Sequence, residues 1–92
     1  MAREVEILKV KSTSVPGALA GAAIAGITRQ DKDIELPAIG AAAVNQATKA
    51  VAIANGFLAP SGISLVISPY FHDVVAADGS VKTAIHMVVT RK

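Results

Sequence analysis

The alanine-rich stretch of residues 39–58 constrains the fold more than any other part of this chain. Its apolar residues recur at the spacing of a single helix face. They are Ile39, Ala43, Ala47, Ala50, Ile53, Ala54 and Phe57. Gly56 lies near the end of this predicted helix, and Pro60 with Gly62 terminates it. The chain is 52% hydrophobic but only 3% aromatic, so its small side chains bury little area each and its core has to pack backbones closely.

A strand and a helix are predicted before this stretch. Residues 3–11 alternate polar and apolar over most of their length, which is typical of a strand that has its glutamates on one face and Val5 and Ile7 on the other. Residues 12–14 supply hydroxyls that cap helices, and the proline two residues later suits a first helical turn. We therefore expect a helix over about residues 15–30.

Three further strands complete the pattern. Residues 34–36 form a short strand ended by Pro37, and a strand over residues 63–68 reaches Pro69 or beyond. An Asp-Gly pair at residues 78–79 signals a hairpin into a last strand over residues 81–91. The predicted order is β-α-β-α-β-β in one α/β domain of residues 1–92. Right-handed crossovers would place both helices on one face of a four-stranded mixed sheet.

Composition excludes several classes of protein. The chain has no cysteine, which excludes disulfides, thiolate metal sites and a cysteine nucleophile. Its first residues lead into alternating charge rather than an apolar run, so no secretory signal is expected. The longest apolar run, residues 15–27, is too short to span a bilayer. We expect a cytoplasmic domain with no membrane association, and its net charge of +2 only weakly favours a polyanionic partner.

Motifs for catalysis and cofactor binding are missing from the sequence. The glycines of residues 17–26 match neither a dinucleotide-binding fingerprint nor a phosphate-binding P-loop. No serine lies in a nucleophile elbow, and no carboxylate pair has an apolar setting. His72 beside Asp73 leaves a metal or acid–base role as a minor alternative, but no further ligands follow at zinc-site spacing. We predict no enzyme, no catalytic residues, no metal and no cofactor.

Two loops form the candidate binding edge. The loop of residues 11–14 follows the first strand and the loop of residues 37–40 follows the second, and each opens a helix. If these strands are parallel, two helix N-termini face neighbouring space, where free N–H groups favour anions. Lys11 would add a charge and the serines would add donors. The alternative is that Ser12 and Ser14 only cap the helix.

The distribution of the basic residues also allows two interpretations. They are scattered along the chain as Arg3, Lys9, Lys11, Arg29, Lys32, Lys49, Lys82, Arg91 and Lys92. They either form ordinary solvated surface, or folding gathers Lys11, Lys49 and Lys82 into one patch. Tyr70 and Phe71 are adjacent and would face opposite sides of a strand, so stacking of bases on aromatic rings is not the expected mode of binding.

The sequence resembles the stage V sporulation protein S family over nearly its whole length. The resemblance is carried by Ala38-Ile39-Gly40-Ala41-Ala42-Ala43-Val44-Asn45-Gln46-Ala47-Thr48-Lys49-Ala50-Val51-Ala52-Ile53-Ala54 and by Gly56-Phe57-Leu58-Ala59-Pro60-Ser61-Gly62. It extends to Lys9-Val10-Lys11-Ser12, Val15-Pro16-Gly17-Ala18-Leu19-Ala20-Gly21 and Thr83-Ala84-Ile85-His86. The resemblance implies a small bacterial protein that affects sporulation or a related regulatory process.

The predicted strand and helix order is also similar to that of the Alba proteins, which are dimers that bind nucleic acid. The stretch from Gly40 to Leu58 resembles their second helix, and residues 84–92 resemble their last strand. The Alba lysines of the first loop are represented here by Lys11 followed by hydroxyl residues. An Alba arginine is replaced by Ala41, an Alba lysine by Asn45, and the arginine-rich hairpin offers mainly Lys82. The resemblance implies an Alba-like fold, whereas strong binding to duplex DNA is not expected, because affinity scales with the phosphates neutralised.

These observations lead to a non-enzymatic regulatory protein that binds DNA or RNA weakly and forms a dimer or tetramer. The residues expected to contact nucleic acid are Lys11, Ser12, Ser14, Asn45, Gln46, Lys49 and Lys82. One alternative is a self-assembling interaction module without nucleic-acid binding, which the weak net charge and the many small apolar residues favour. A third possibility is a sensor of a small anion or nucleotide at the shared loop edge.

Overall fold

The strands and helices of the protein follow the predicted order. A computed structural model describes residues 3–92, with only the backbone of residues 20–22, so residues 1–2 of the predicted domain lie outside the described residues. The strands are β1 (Val5–Ile7), β2 (Asp33–Ala38), β3 (Leu65–Val75) and β4 (Val81–Arg91). The helices are α1 (residues 16–29) and α2 (Ala41–Leu58), and a short 3-10 turn, Ala59–Ser61, follows α2. The predicted β-α-β-α-β-β order is therefore confirmed.

The four strands form one mixed sheet in the order β1-β2-β4-β3. β1 and β2 are parallel, and β4 is antiparallel to both β2 and β3. Strand β2 continues through Pro37 to Ala38, although the sequence predicted that the proline would end it. A residue's N–H and C=O point to the same side of a strand, so the missing N–H of Pro37 falls on the side of β1. There the Pro37 carbonyl still accepts a hydrogen bond of 3.0 Å from the Val10 N–H.

The first helix differs from a regular α-helix in its middle. Pro16–Ala18 and Gly26–Arg29 are α-helical, but Leu19–Ala25 between them has the wider π-helical hydrogen-bond pattern. The sequence predicted a helix over nearly these residues. Apolar periodicity indicates that a segment is helical, but it does not distinguish between hydrogen-bond registers that differ by one residue.

Both helices cover the same face of the sheet and form one core with it. Ile34 and Leu36 of β2 and Val89 of β4 are buried on this face, against Ile24 of α1 and Leu58 of α2. The fully buried alanines of α2 keep that helix close to its neighbours, and they are Ala47, Ala50 and Ala54. No helix of residues 3–92 covers the opposite face of the sheet, and we call it the open face.

The apolar stripe predicted for α2 was wrong in part. Ile53 and Phe57 were expected on the buried stripe of α2, but they are 38% and 48% exposed. Because α2 has alanines on several sides, the spacing of its apolar residues does not determine which side of the helix is buried. Ile7 lies on the open face and is 64% exposed, since it pairs in register with Glu35 rather than with the buried Ile34.

No helix in residues 3–92 is long and apolar enough to cross a membrane.

Candidate nucleic-acid interface

The loops that follow β1 and β2 lie side by side at one edge of the sheet. The parallel pairing of the two strands continues past β1 through a bridge between Val10 and Ala38. The side chain of Gln46 on α2 donates a hydrogen bond of 2.9 Å to the Ser14 carbonyl, which ties the first loop to the second helix. Both helices therefore begin at this edge. Gly40, with φ of 88°, makes the turn into α2, and no side chain caps that helix.

Two of the predicted contact residues stabilise the loop. The Ser14 hydroxyl accepts the Lys11 N–H at 2.9 Å, and the Ser14 N–H donates to the Lys11 carbonyl at 3.0 Å. These bonds close a tight turn over residues 11–14. Gln46 is half-buried, and its side-chain amide donates its hydrogen bond to the Ser14 carbonyl. Ser14 and Gln46 thus have structural partners of their own. Contrary to the capping alternative, the Ser14 hydroxyl does not cap the helix, since no side chain of the described residues caps the start of α1 and the hydroxyl bonds within the loop instead.

A cleft separates this loop from the β3–β4 hairpin, and we call it the loop cleft. Its volume is about 460 Å³, and it is lined by Lys9, Val10, Lys11, Ser12, Thr13, Pro37, Ile39, Val74 and Ala84. Lys82 pairs directly with Val74 across the hairpin, so it lies at the border of the cleft on the open face. The fold thus brings together Lys11, Ser12 and Lys82, and it adds Lys9 and Thr13, which the sequence did not single out. The sequence signal for Lys9 was its spacing of two residues from Lys11, which puts both on one side of an extended chain.

Asn45 lies in a second cleft on the other side of the hairpin. That cleft, of about 660 Å³, is formed by the start of α2 and by hairpin residues that point toward the helical layer, including Phe71, Thr83 and Ile85. Lys49 follows Asn45 by one helical turn on the exposed side of α2. The predicted contact residues are therefore divided between the two sides of the hairpin.

Charges are distributed unevenly between the two ends of β1. At its start, Arg3 lies 2.5 Å from Asp31, and Lys32 lies 3.2 Å from Glu6. The hydrogen bond to Glu6 is also the main cause of the raised pKa of Lys32. Arg91 likewise approaches Asp31, at 3.6 Å.

At the loop end the lysines have no acidic neighbour. Within residues 3–92, Lys9, Lys11, Lys49 and Lys82 form no salt bridge. The acidic groups of the hairpin have other partners: Asp73 accepts from the Thr83 hydroxyl, and Asp78 accepts from Ser80. Arg3, Lys32 and Arg91 near the start of β1 are therefore paired, whereas the lysines around the loop are not. Arg29 and Lys92, which lie away from the loop, form no salt bridge within residues 3–92 either.

A separate polar cluster lies on the open face. The Tyr70 hydroxyl donates to Glu35, which raises the pKa of Tyr70 above its ordinary value of 10.0. His86 Nδ1 lies 3.5 Å from Glu35 Oε2, and the ring of His72 contacts that of His86 in a tilted arrangement, with ring centroids 4.4 Å apart. The sequence considered His72 together with Asp73, but neighbouring residues of a strand point to opposite faces. Cross-strand pairing of Tyr70 with His86 assembles the cluster instead.

The side chains of the polar cluster bond mainly to one another. Among the residues that the structure describes, no three histidine, cysteine, aspartate or glutamate side chains come together in a way that suits a metal ion. Glu35 and His86 bond to each other and to Tyr70. This network links β2, β3 and β4 across the open face, because each of the three side chains comes from a different strand.

Comparison with protein families gives one match. A family model described as stage V sporulation protein S matches residues 6–92. The match includes both clefts, both helices and the hairpin. It confirms the family resemblance of the sequence.

Proposed function

The chain belongs to the stage V sporulation protein S family, and from this premise we propose that it is a regulatory protein that binds nucleic acid through the loop cleft and its border. Membership in the family supports a regulatory role in sporulation, and this is not a known family of enzymes. The observation that carries the proposal is the uneven distribution of charge. Lysines at the loop end have no acidic partner, whereas Arg3, Lys32 and Arg91 at the other end do.

Unneutralised lysines suit a phosphate backbone. Each lysine that contacts a phosphate displaces condensed counterions, and this release favours binding at low salt. Lys9 and Lys11 line the loop cleft together with Ser12 and Thr13, whose hydroxyls can donate hydrogen bonds. Lys82 lies at the border of the cleft, because it pairs with the lining residue Val74. Contacts of these kinds position a nucleic acid without reading its bases.

The small number of lysines sets the expected strength of binding. A plot of the logarithm of the binding constant against the logarithm of the salt concentration has a slope of roughly −0.7 to −0.9 for each phosphate contact. Three lysines at the cleft border would therefore give a shallow slope of about −2 to −3. We therefore propose binding that is weak and independent of sequence. Asn45 and Lys49 would extend the surface around the hairpin for a longer strand.

Fluorescence anisotropy with labelled duplex DNA, single-stranded DNA and RNA tests this proposal. The expected result is binding at low salt that weakens toward physiological salt, and that Lys11→Ala or Lys82→Ala reduces. Lys92→Ala is the matched control, since Lys92 follows the far end of β4, away from the hairpin. Failure of all three nucleic acids to bind at low salt would contradict the proposal.

Self-assembly is the second candidate function, and exposed apolar residues of the hairpin favour it. Phe71 is 78% exposed, and Val75 and Val81 at the hairpin end are also largely exposed. Single apolar residues on a surface are common, but a cluster on a projecting arm is typical of an interaction site. We propose that the chain forms a dimer or tetramer through this arm. Sedimentation velocity at several concentrations would detect it, and Phe71→Ser should shift the equilibrium toward the monomer.

A further inference from the structure

We propose that the loop cleft also binds a small phosphorylated molecule with an apolar or aromatic body, of about the size of a nucleotide. Its volume of about 460 Å³ lies within the range of roughly 300–1,000 Å³ that is usual for small-molecule sites. This inference goes beyond nucleic-acid binding and does not depend on it, because the ligand enters the cleft as a whole.

The rim of the loop cleft provides the groups that a phosphate needs. Lys9 and Lys11 bring two ammonium groups, and neither forms a salt bridge within residues 3–92. The hydroxyls of Ser12 and Thr13 likewise make no hydrogen bond to any other described residue, in contrast to the Ser14 hydroxyl, which accepts the Lys11 N–H. Two cations and two hydroxyl donors match the charge and the acceptor oxygens of a phosphate monoester.

The floor of the cleft is apolar, so it fits a ligand that has an apolar group besides its phosphate. Val10 and Ala84 are almost fully buried beneath it, and Pro37, Ile39 and Val74 form its walls. A bare phosphate ion would leave these walls in contact with water. An apolar or aromatic group attached to the phosphate would cover them, and its burial would stabilise the complex by roughly 25 cal/mol per Å².

The second cleft lacks the positive charge that a phosphate needs. It is larger, at about 660 Å³, but its lining holds no lysine or arginine. Asn45, Thr48 and Thr83 supply its polar groups. An anion would find hydrogen-bond donors there but no positive charge, so of these two clefts the loop cleft is the one that combines cations with an apolar floor.

Isothermal titration calorimetry on the full chain tests the proposal. The probes are phenyl phosphate, adenosine monophosphate, inorganic phosphate and benzyl alcohol. The two phosphate esters should bind, and they should bind at least tenfold more tightly than inorganic phosphate or the alcohol. Lys11→Ala should weaken phenyl phosphate by about tenfold, the usual loss for one charge-assisted hydrogen bond. Lys92→Ala, beyond the far end of β4 and outside the cleft, is the matched control and should leave the affinity unchanged.

A second variant separates the apolar floor from the charged rim. Ile39 is exposed and lies between β2 and α2, so Ile39→Ala should fold normally. It should weaken phenyl phosphate and leave inorganic phosphate unchanged. Equal affinity for inorganic phosphate and the esters, or an unchanged affinity in Lys11→Ala, would overturn the proposal.

Competition with oligonucleotides identifies the source of the phosphate. A strand with a 5′-phosphate should compete with phenyl phosphate more strongly than the same strand without it if the cleft accepts a strand end, and free nucleotides should compete more strongly than either strand if it accepts a metabolite. Either result supports the site. Competition by the strand without a terminal phosphate that is as strong as that of the phosphorylated strand and of the free nucleotides would overturn it, because the cleft would then recognise backbone phosphates alone, as the proposed function expects. A negative result in calorimetry leaves the anisotropy experiment unaffected, so the two proposals fail separately.

Discussion

Because one face of the sheet is buried and the other is open, two similar substitutions should lower the free energy of unfolding by very different amounts. Leu36 points into the core from β2 and is fully buried, whereas Ile7 points to the open face from β1 and is 64% exposed. Both lie in strands and both are large aliphatic residues, so Leu36→Ala and Ile7→Ala remove comparable numbers of atoms. The burial of the residue is therefore the main difference between the two variants.

The size of each effect follows from burial. Leu36→Ala removes fully buried methyl groups and leaves a cavity, which costs about 2–5 kcal/mol of unfolding free energy. Full burial of an aliphatic side chain contributes roughly 1.5–3 kcal/mol, and Ile7 has only about a third of that burial, so Ile7→Ala should cost less than about 1 kcal/mol. At roughly 4–8 °C per kcal/mol for a domain of this size, Leu36→Ala should lower Tm by at least about 8 °C.

Urea unfolding followed by circular dichroism measures both costs. The m-value should stay constant, so that midpoint shifts report stability alone. Equal losses for the two variants would refute the assignment of the faces. The experiment should be run at several protein concentrations, because a loss in Ile7→Ala that shrinks on dilution would mean that a second copy covers the open face.

Three further predictions concern single contacts. Gly40→Ala should destabilise the fold by about 1–3 kcal/mol in thermal unfolding, because residue 40 has φ of 88°, which strains any residue with a Cβ; a neutral effect would contradict it. Gln46→Ala should cost about 0.5–1.5 kcal/mol through loss of the bond to the Ser14 carbonyl, and the binding surface should be unaffected, so reduced anisotropy binding by a folded variant would count against this role. Tyr70 is the only tyrosine and the chain has no tryptophan, so tyrosinate absorbance reports it alone. Its pKa should lie above 10.0 and fall toward that value in Glu35→Gln, and no change would show that the hydrogen bond to Glu35 is absent.

The sequence predicted the order of the elements because each has a clear local signal. The 3.6-residue spacing over residues 39–58 and the Asp-Gly turn at residues 78–79 both depend on neighbours in the chain. Which side of a strand or helix faces the core is not a local property. The alternation in β1 marked two faces, but the pairing with β2 decided that Ile7 would point to the open face.

The candidate site was predictable only where it depended on topology. Parallel strands bring the loops after them to one edge, and this placed Lys11 and Ser12 correctly beside the start of α2. The use of Ser14 and Gln46 in structural hydrogen bonds could not be predicted, because each bond depends on a side-chain position set by the packing of the loop on α2. The cluster of Tyr70 and His86 was missed for the same reason, since cross-strand register brings these residues together.

The salt dependence of binding tests the central claim most directly. The equilibrium constant for a labelled oligonucleotide should be measured over a series of salt concentrations for the wild type and for the double variant Lys11→Ala/Lys82→Ala. If both lysines contact phosphates, the log–log slope should become shallower by about 1.4–1.8, at roughly 0.7–0.9 per contact. Lys92→Ala is the control and should keep the wild-type slope. If the double variant also keeps the wild-type slope, the loop cleft is not the nucleic-acid-binding surface.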